Sequence, residues 1–76
     1  MNLIKLLYIE LWREYNNVKV LTYNVENDEI HAHFSHYDEG WTYVGSTYFK
    51  DCVAKVIKYK TFFGKEKIRI EITSIQ

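Results

Sequence analysis

The residues whose types and spacing could do chemistry begin with His31-Ala32-His33. On a strand, residues two apart share a face, so both imidazoles would reach one metal ion. Ser35, with Asp38 or Glu39 from the following turn, would complete the shell. A lone pair of this kind lacks the third and fourth ligands that make a spacing diagnostic. The plainer reading is therefore two histidines on the solvated face of a strand, with His36 on the opposite face. Cys52 is the single cysteine. A cysteine nucleophile needs a base or a helix N-terminus to hold its thiolate, whereas Cys52 shares an apolar stripe with Phe49 and Val56 and reads as an inert buried thiol. Gly40, Gly45 and Gly64 are isolated, and no phosphate-binding loop, metalloprotease motif or serine elbow is present. The paired carboxylates Asp28-Glu29 and Asp38-Glu39 fall in turns, where such pairs are solvated. The expectation is a protein that is not an enzyme and carries no cofactor or resident metal.

Two features speak instead for binding. Lys55, Lys58, Lys60, Lys65, Lys67 and Arg69 are interleaved with Tyr59, Phe62 and Phe63, and cations with stackable rings are what nucleic-acid surfaces use. Against this stand Glu66 and Glu71 within the stretch, a formal net charge of +0, and a basic set dominated by lysine. The second feature is the aromatic excess of 17%. A domain this small cannot bury every large ring. Exposed Tyr, Trp and Phe mark contact surfaces, although rings can also lie flat over a sheet with only their tips wet. Trp41, Tyr43, Tyr37, Phe62 and Phe63 are the rings placed to face a partner, with the turn Glu26-Asn27-Asp28-Glu29 as an acidic rim. The primary expectation is thus a protein-interaction module that sterically occupies a host or self protein. Nucleic-acid binding through residues 55–69 is the alternative, and metal binding at His31 and His33 the third.

Length and composition limit what must position these residues. The chain has 76 residues, 47% of them hydrophobic and 26% charged, which is globular composition in one domain near the lower size limit for an unstapled core. No run approaches the roughly 20 apolar residues of a membrane span. The first residues lack a signal-peptide pattern, and the lone cysteine fits a reducing compartment, so a cytoplasmic location is expected. Ile, Lys, Asn and Tyr make up 28 of the 76 residues. Their AT-rich codons point to an AT-rich bacterium or a phage, where a small accessory inhibitor would fit.

Leu3, Ile4, Leu7, Tyr8, Leu11, Trp12 and Tyr15 recur at helical spacing behind Asn2 as N-cap, and Asn16-Asn17 offers a left-handed stop. Leu6 and Ile9 fall off that stripe, leaving a second apolar face for another element or chain. Alternation predicts strands over Val18–Val25, Ile30–Tyr37 and Trp41–Val44. Spacing of Tyr48, Phe49, Cys52, Val53, Val56 and Ile57 predicts a second helix from 47 to about 59. The competing reading pairs a strand over Val56–Thr61 with the clear strand Lys67–Ile75. The expected architecture is therefore α+β in the order α-β-β-β-α-β: two helices against an antiparallel sheet of three to four strands. The order α-β-β-β-α is shared by double-stranded-RNA-binding domains, though none of their sequence motifs occurs here. An open edge could pair with a second copy. The predicted core is Leu7, Leu11, Val20, Phe34, Val44, Phe49, Val53, Ile57, Ile68, Ile70 and Ile72.

Overall fold

A computed structural model of the chain describes residues 2–38 and 44–76. The elements are α1 (Leu3–Trp12), β1 (Lys19–Glu26), β2 (Glu29–Asp38), β3 (Ser46–Lys60) and β4 (Glu66–Ile75). Asn2 caps α1 as its sequence position suggests, its side chain accepting the Ile4 N–H at 3.0 Å. Asn17, at φ 52°, takes the left-handed conformation that turns the chain toward β1. The strands form one antiparallel meander in the order β1-β2-β3-β4.

Two short hairpins set its register. Asn27 and Asp28 both have positive φ, 53° and 59°, in the two-residue link between Glu26 and Glu29. That is the mark of a type I′ hairpin turn, whose twist matches that of the flanking strands. At the other hairpin Thr61 and Lys65 face each other across Phe62-Phe63-Gly64. The Thr61 N–H donates to the Lys65 carbonyl at 2.8 Å, and Gly64 supplies the φ of +79° that closes the loop.

The core lies between α1 and one face of the sheet. Leu7 and Leu11 point down onto Ile30, Ala32 and Phe34 of β2, Cys52, Ala54 and Val56 of β3, and Ile70 of β4. In the pairings Ile30–Ala54 and Ala32–Cys52 only Ile30 is large, and the other three are small buried residues. The Tyr8 hydroxyl accepts the Val20 N–H at 2.8 Å and ties the helix to β1. The other face, with His31, His33, Phe49, Val53 and Ile57, carries no helix among the described residues.

The second helix expected over residues 47–59 does not form; that stretch is β3, and the described order is α-β-β-β-β. The doublets Tyr48-Phe49, Cys52-Val53 and Val56-Ile57 satisfy a helical period and also supply one apolar residue to each face of a central strand. Hydrogen-bonded neighbours on both sides, together with the β-branched and aromatic residues, decide for the strand. The analogy with double-stranded-RNA-binding domains goes with the lost helix. The competing strand reading of Val56–Thr61 is the one the structure supports, extended back to Ser46. Val44 and Phe49, expected in the core, are 89% and 62% exposed. Most of the strand expected at Trp41–Val44 falls on 41–43, outside the described residues.

Both outer strands carry a one-residue irregularity. Leu21 is the extra residue of β1 between Val20 and Thr22, and Thr73 is that of β4 opposite Val53-Ala54. Thr73 donates its hydroxyl to the Val53 carbonyl at 3.1 Å. Such bulges twist an edge and blunt it against further strand pairing.

Phe34 is wholly buried and contacts the Tyr15 ring, with centroids 5.5 Å apart. Phe34→Ala is expected to cost about 3–5 kcal/mol, most of the stability of a domain this small. Gly64→Ala meets no steric neighbour but is held at positive φ, so it should cost about 1 kcal/mol. Urea unfolding monitored by tryptophan fluorescence checks both.

Candidate nucleic-acid interface

β3 runs on past its neighbour. β2 begins at Glu29, opposite Lys55, so residues 56–60 of β3 pair only with 66–70 of β4, apart from one hydrogen bond from Val56 N–H to the Asp28 carbonyl at 2.8 Å. The result is a two-stranded arm projecting from the four-stranded sheet. It helps give a domain of this size a long dimension of 52 Å against 24 and 18 Å.

The arm collects the basic stretch. Lys58 and Lys60 continue the row of Cys52, Ala54 and Val56, opposite Ile68 and Glu66. Tyr59 continues the row of Val53, Lys55 and Ile57, and faces Lys67 across the ladder as Ile57 faces Arg69. Both faces of the ribbon therefore carry cations, and Lys65 adds one at the tip. A shallow concavity of about 480 Å³ lies among Lys58, Tyr59, Lys60, Glu66, Lys67 and Ile68. Phe62 and Phe63 cap the arm at 97% and 86% exposure, packed edge to face with centroids 5.5 Å apart.

Lys58 lies 3.9 Å from Asp28, a pair so open to water that it neutralises little. Among the described residues the other five cations make no ion pair. Glu66 is the one carboxylate between residues 55 and 70, against six cations. Cationic charge is thus concentrated along the arm, with Glu66 opposite Lys60 and Glu29 and Glu71 flanking Lys55 in the ladder.

The remaining residues singled out from sequence are dispersed. Tyr37 pairs with Thr47 at the end of the sheet away from the arm, so it and the Phe62-Phe63 tip do not share a surface. Trp41 and Tyr43 lie outside the described residues. The acidic turn Glu26–Glu29 sits at the base of the arm, where Asp28 approaches Lys58.

His31 and His33 do share the open face. His33 Nδ1 is 2.7 Å from Asp51 Oδ1, directly across the ladder, and its ring stacks on Phe49 at 6.1 Å. Among the described residues no three His, Cys, Asp or Glu side chains converge as a metal site would require. His36 is on the helix side, against Tyr15 and Tyr48, with Nε2 buried and unpartnered among the described residues. The second apolar face expected of the helix from Leu6 and Ile9 is present in part as an exposed patch. Ile9 and Trp12 stand out from α1, and with Ile4 and Tyr8 they border a concavity of about 410 Å³.

Cys52 is 2% exposed beneath the helix. Burial pushes its thiol above the ordinary range, the backbone of Ala32 opposes this, and the Asp51 charge adds to it. It is a core residue and a poor nucleophile. No helix among the described residues is long and apolar enough to cross a membrane. No family model, curated protein or solved structure matches this chain.

Cys52 supplies a pH prediction. The folded state holds the thiol protonated at pH values where the unfolded chain has ionised it. Stability is therefore complete below the ordinary thiol range and is lost as pH rises through it. Urea midpoints should fall above that range in the wild type and stay flatter in Cys52→Ala. An aromatic disulfide reagent should label Cys52 at neutral pH only after urea is added.

Proposed function

We propose that the protein is a non-catalytic binding module that grips an anionic macromolecule with its β3–β4 arm. The observation that carries this is one projecting ribbon bearing cations on both faces and two almost fully exposed phenylalanines at its tip. Exposed apolar rings of this size are costly to leave in water, and a tip of this kind is explained by a partner that covers it. Six cations against one carboxylate between residues 55 and 70 leave the arm with a net positive charge that a polyanion would neutralise. Cys52 is buried, and the His33–Asp51 pair serves no nucleophile among the described residues, so neither supports a catalytic reading.

A second reading, steric occupation of another protein, rests on the Ile9 and Trp12 patch of α1, which lies apart from the arm's charges. The two readings separate on immobilised heparin, a polyanion without bases. A neutral protein has no reason to stay on such a column unless its charge is clustered. The wild type and Trp12→Ala should be retained at low salt and elute as salt rises. The combined variant Lys58→Gln, Lys60→Gln, Lys67→Gln and Arg69→Gln should pass through in the wash. Wild-type flow-through with the native circular dichroism spectrum would remove the arm reading.

A further inference from the structure

The geometry points to double-stranded DNA as the partner of the arm, with the ribbon lying along a groove and Phe62 and Phe63 inserted at a base step. This rests on the arm being an anion-binding device, and it adds which anion and how.

The distribution of charge selects among polyanions. A stacking surface for single strands puts rings and cations together on one face of a sheet, so that bases lie on the rings and phosphates run alongside. Here Lys58 and Lys60, with Glu66 among them, face one way while Lys55, Lys67 and Arg69, with Glu71 at the base, face the other, and Tyr59 is the one ring on the shaft. Cations on opposite faces suit a ribbon flanked by phosphates on both sides, which is what the two walls of a duplex groove present. The major groove of B-form DNA, about 12 Å across, admits a two-stranded ribbon, whereas the major groove of A-form RNA is too narrow for side chains to read.

A lipid surface fits less well. Phe62 lies seven positions beyond Lys55, roughly 20 Å of strand. With the tip at the acyl boundary, the cations at the arm's base would stand beyond the headgroup layer. The lysine-rich set also suits phosphate charge more than shape-specific recognition, which favours arginine's planar fork. Sequence preference is expected to be weak.

The phenylalanines account for the rest. Apolar wedges inserted at a base step unstack it and kink the duplex, and the bend brings more phosphate against the protein. Two adjacent rings at the tip of a rigid closed loop, set by the Thr61–Lys65 hydrogen bonds and the left-handed Gly64, are placed to do this.

The test uses the whole chain and a 30-base-pair duplex carrying a donor and an acceptor dye at its ends. Comparison probes are a single strand of equal length, heparin, and vesicles of anionic phospholipid. The wild type should bind the duplex at least tenfold more tightly than the single strand. Its log affinity should fall with log salt at a slope of about −4.5 to −5.5, for five or six phosphates neutralised. Energy transfer between the dyes should rise on binding as the ends approach. Phe62→Ala/Phe63→Ala should abolish the rise and make the salt slope shallower by the phosphates the bend brings in, and Lys60→Gln should reduce the slope by about one. Retention on heparin without preference for the duplex overturns the DNA assignment and leaves the anion-binding arm standing. Tighter binding to vesicles or to the single strand overturns it in favour of that partner. Duplex binding with unchanged energy transfer overturns the wedge. Melting temperatures within a few degrees of wild type certify that the variants are folded.

Discussion

A strand can satisfy its backbone only where a neighbour runs beside it, and β3 is fifteen residues long while β2 and β4 have ten each. The mismatch decides most of what is distinctive about this molecule. Where β3 lies between two neighbours and beneath the helix, its inward residues are small: Cys52 and Ala54. Where β2 has ended, the same strand carries Lys58, Tyr59 and Lys60, and nothing covers it. Core and arm are two stretches of one hydrogen-bonded ladder, and the change of partner number along it coincides with the change of composition.

An isolated two-stranded hairpin is marginal in water, so the arm depends on how it is anchored. Val56 and Ile70 pair at its root and are both buried, and Asp28 adds a backbone hydrogen bond there. Gly64 closes the tip without backbone strain. Between these fixed ends the cross-strand pairs Tyr59–Lys67 and Lys58–Ile68 give modest support, each worth a few tenths of a kcal/mol. Repulsion among the lysines works against them. Such an arm stands because its ends are set, and its middle is held by the β3–β4 ladder alone.

Much of this was legible from residues alone, and the exceptions have identifiable causes. Asn2 and Asn17 marked the limits of the helical region, the alternation of Ile30, Ala32 and Phe34 marked the buried face of β2, and Ile68, Ile70 and Ile72 marked β4. Residues 47–59 misled because doublets spaced four apart satisfy both periods, and only the neighbours of a strand break the tie. Phe49 looked like core because it is large and apolar, but parity puts it on the uncovered face. The basic residues were visible as a run; their division between two faces follows from a register that no composition reveals. Trp12, left out of the expected core, is exposed because it lies on the helical stripe beyond the part that Leu7 and Leu11 press into the sheet.

The anchoring of the arm separates its local order from the stability of the domain. Opening residues 57–60 and 66–69 breaks a few ladder bonds and exposes little apolar area, whereas opening the four-stranded part exposes Phe34, Leu7 and Leu11. Local opening of this kind lies at the low end of the free-energy scale within a native protein. Amide hydrogens of the arm will therefore exchange far sooner than those of β2, and a ligand held by the arm will slow them selectively. The domain can spend its binding energy on ordering a segment whose loss would not unfold it, so occupancy is written in exchange rates before it is visible in a melting curve.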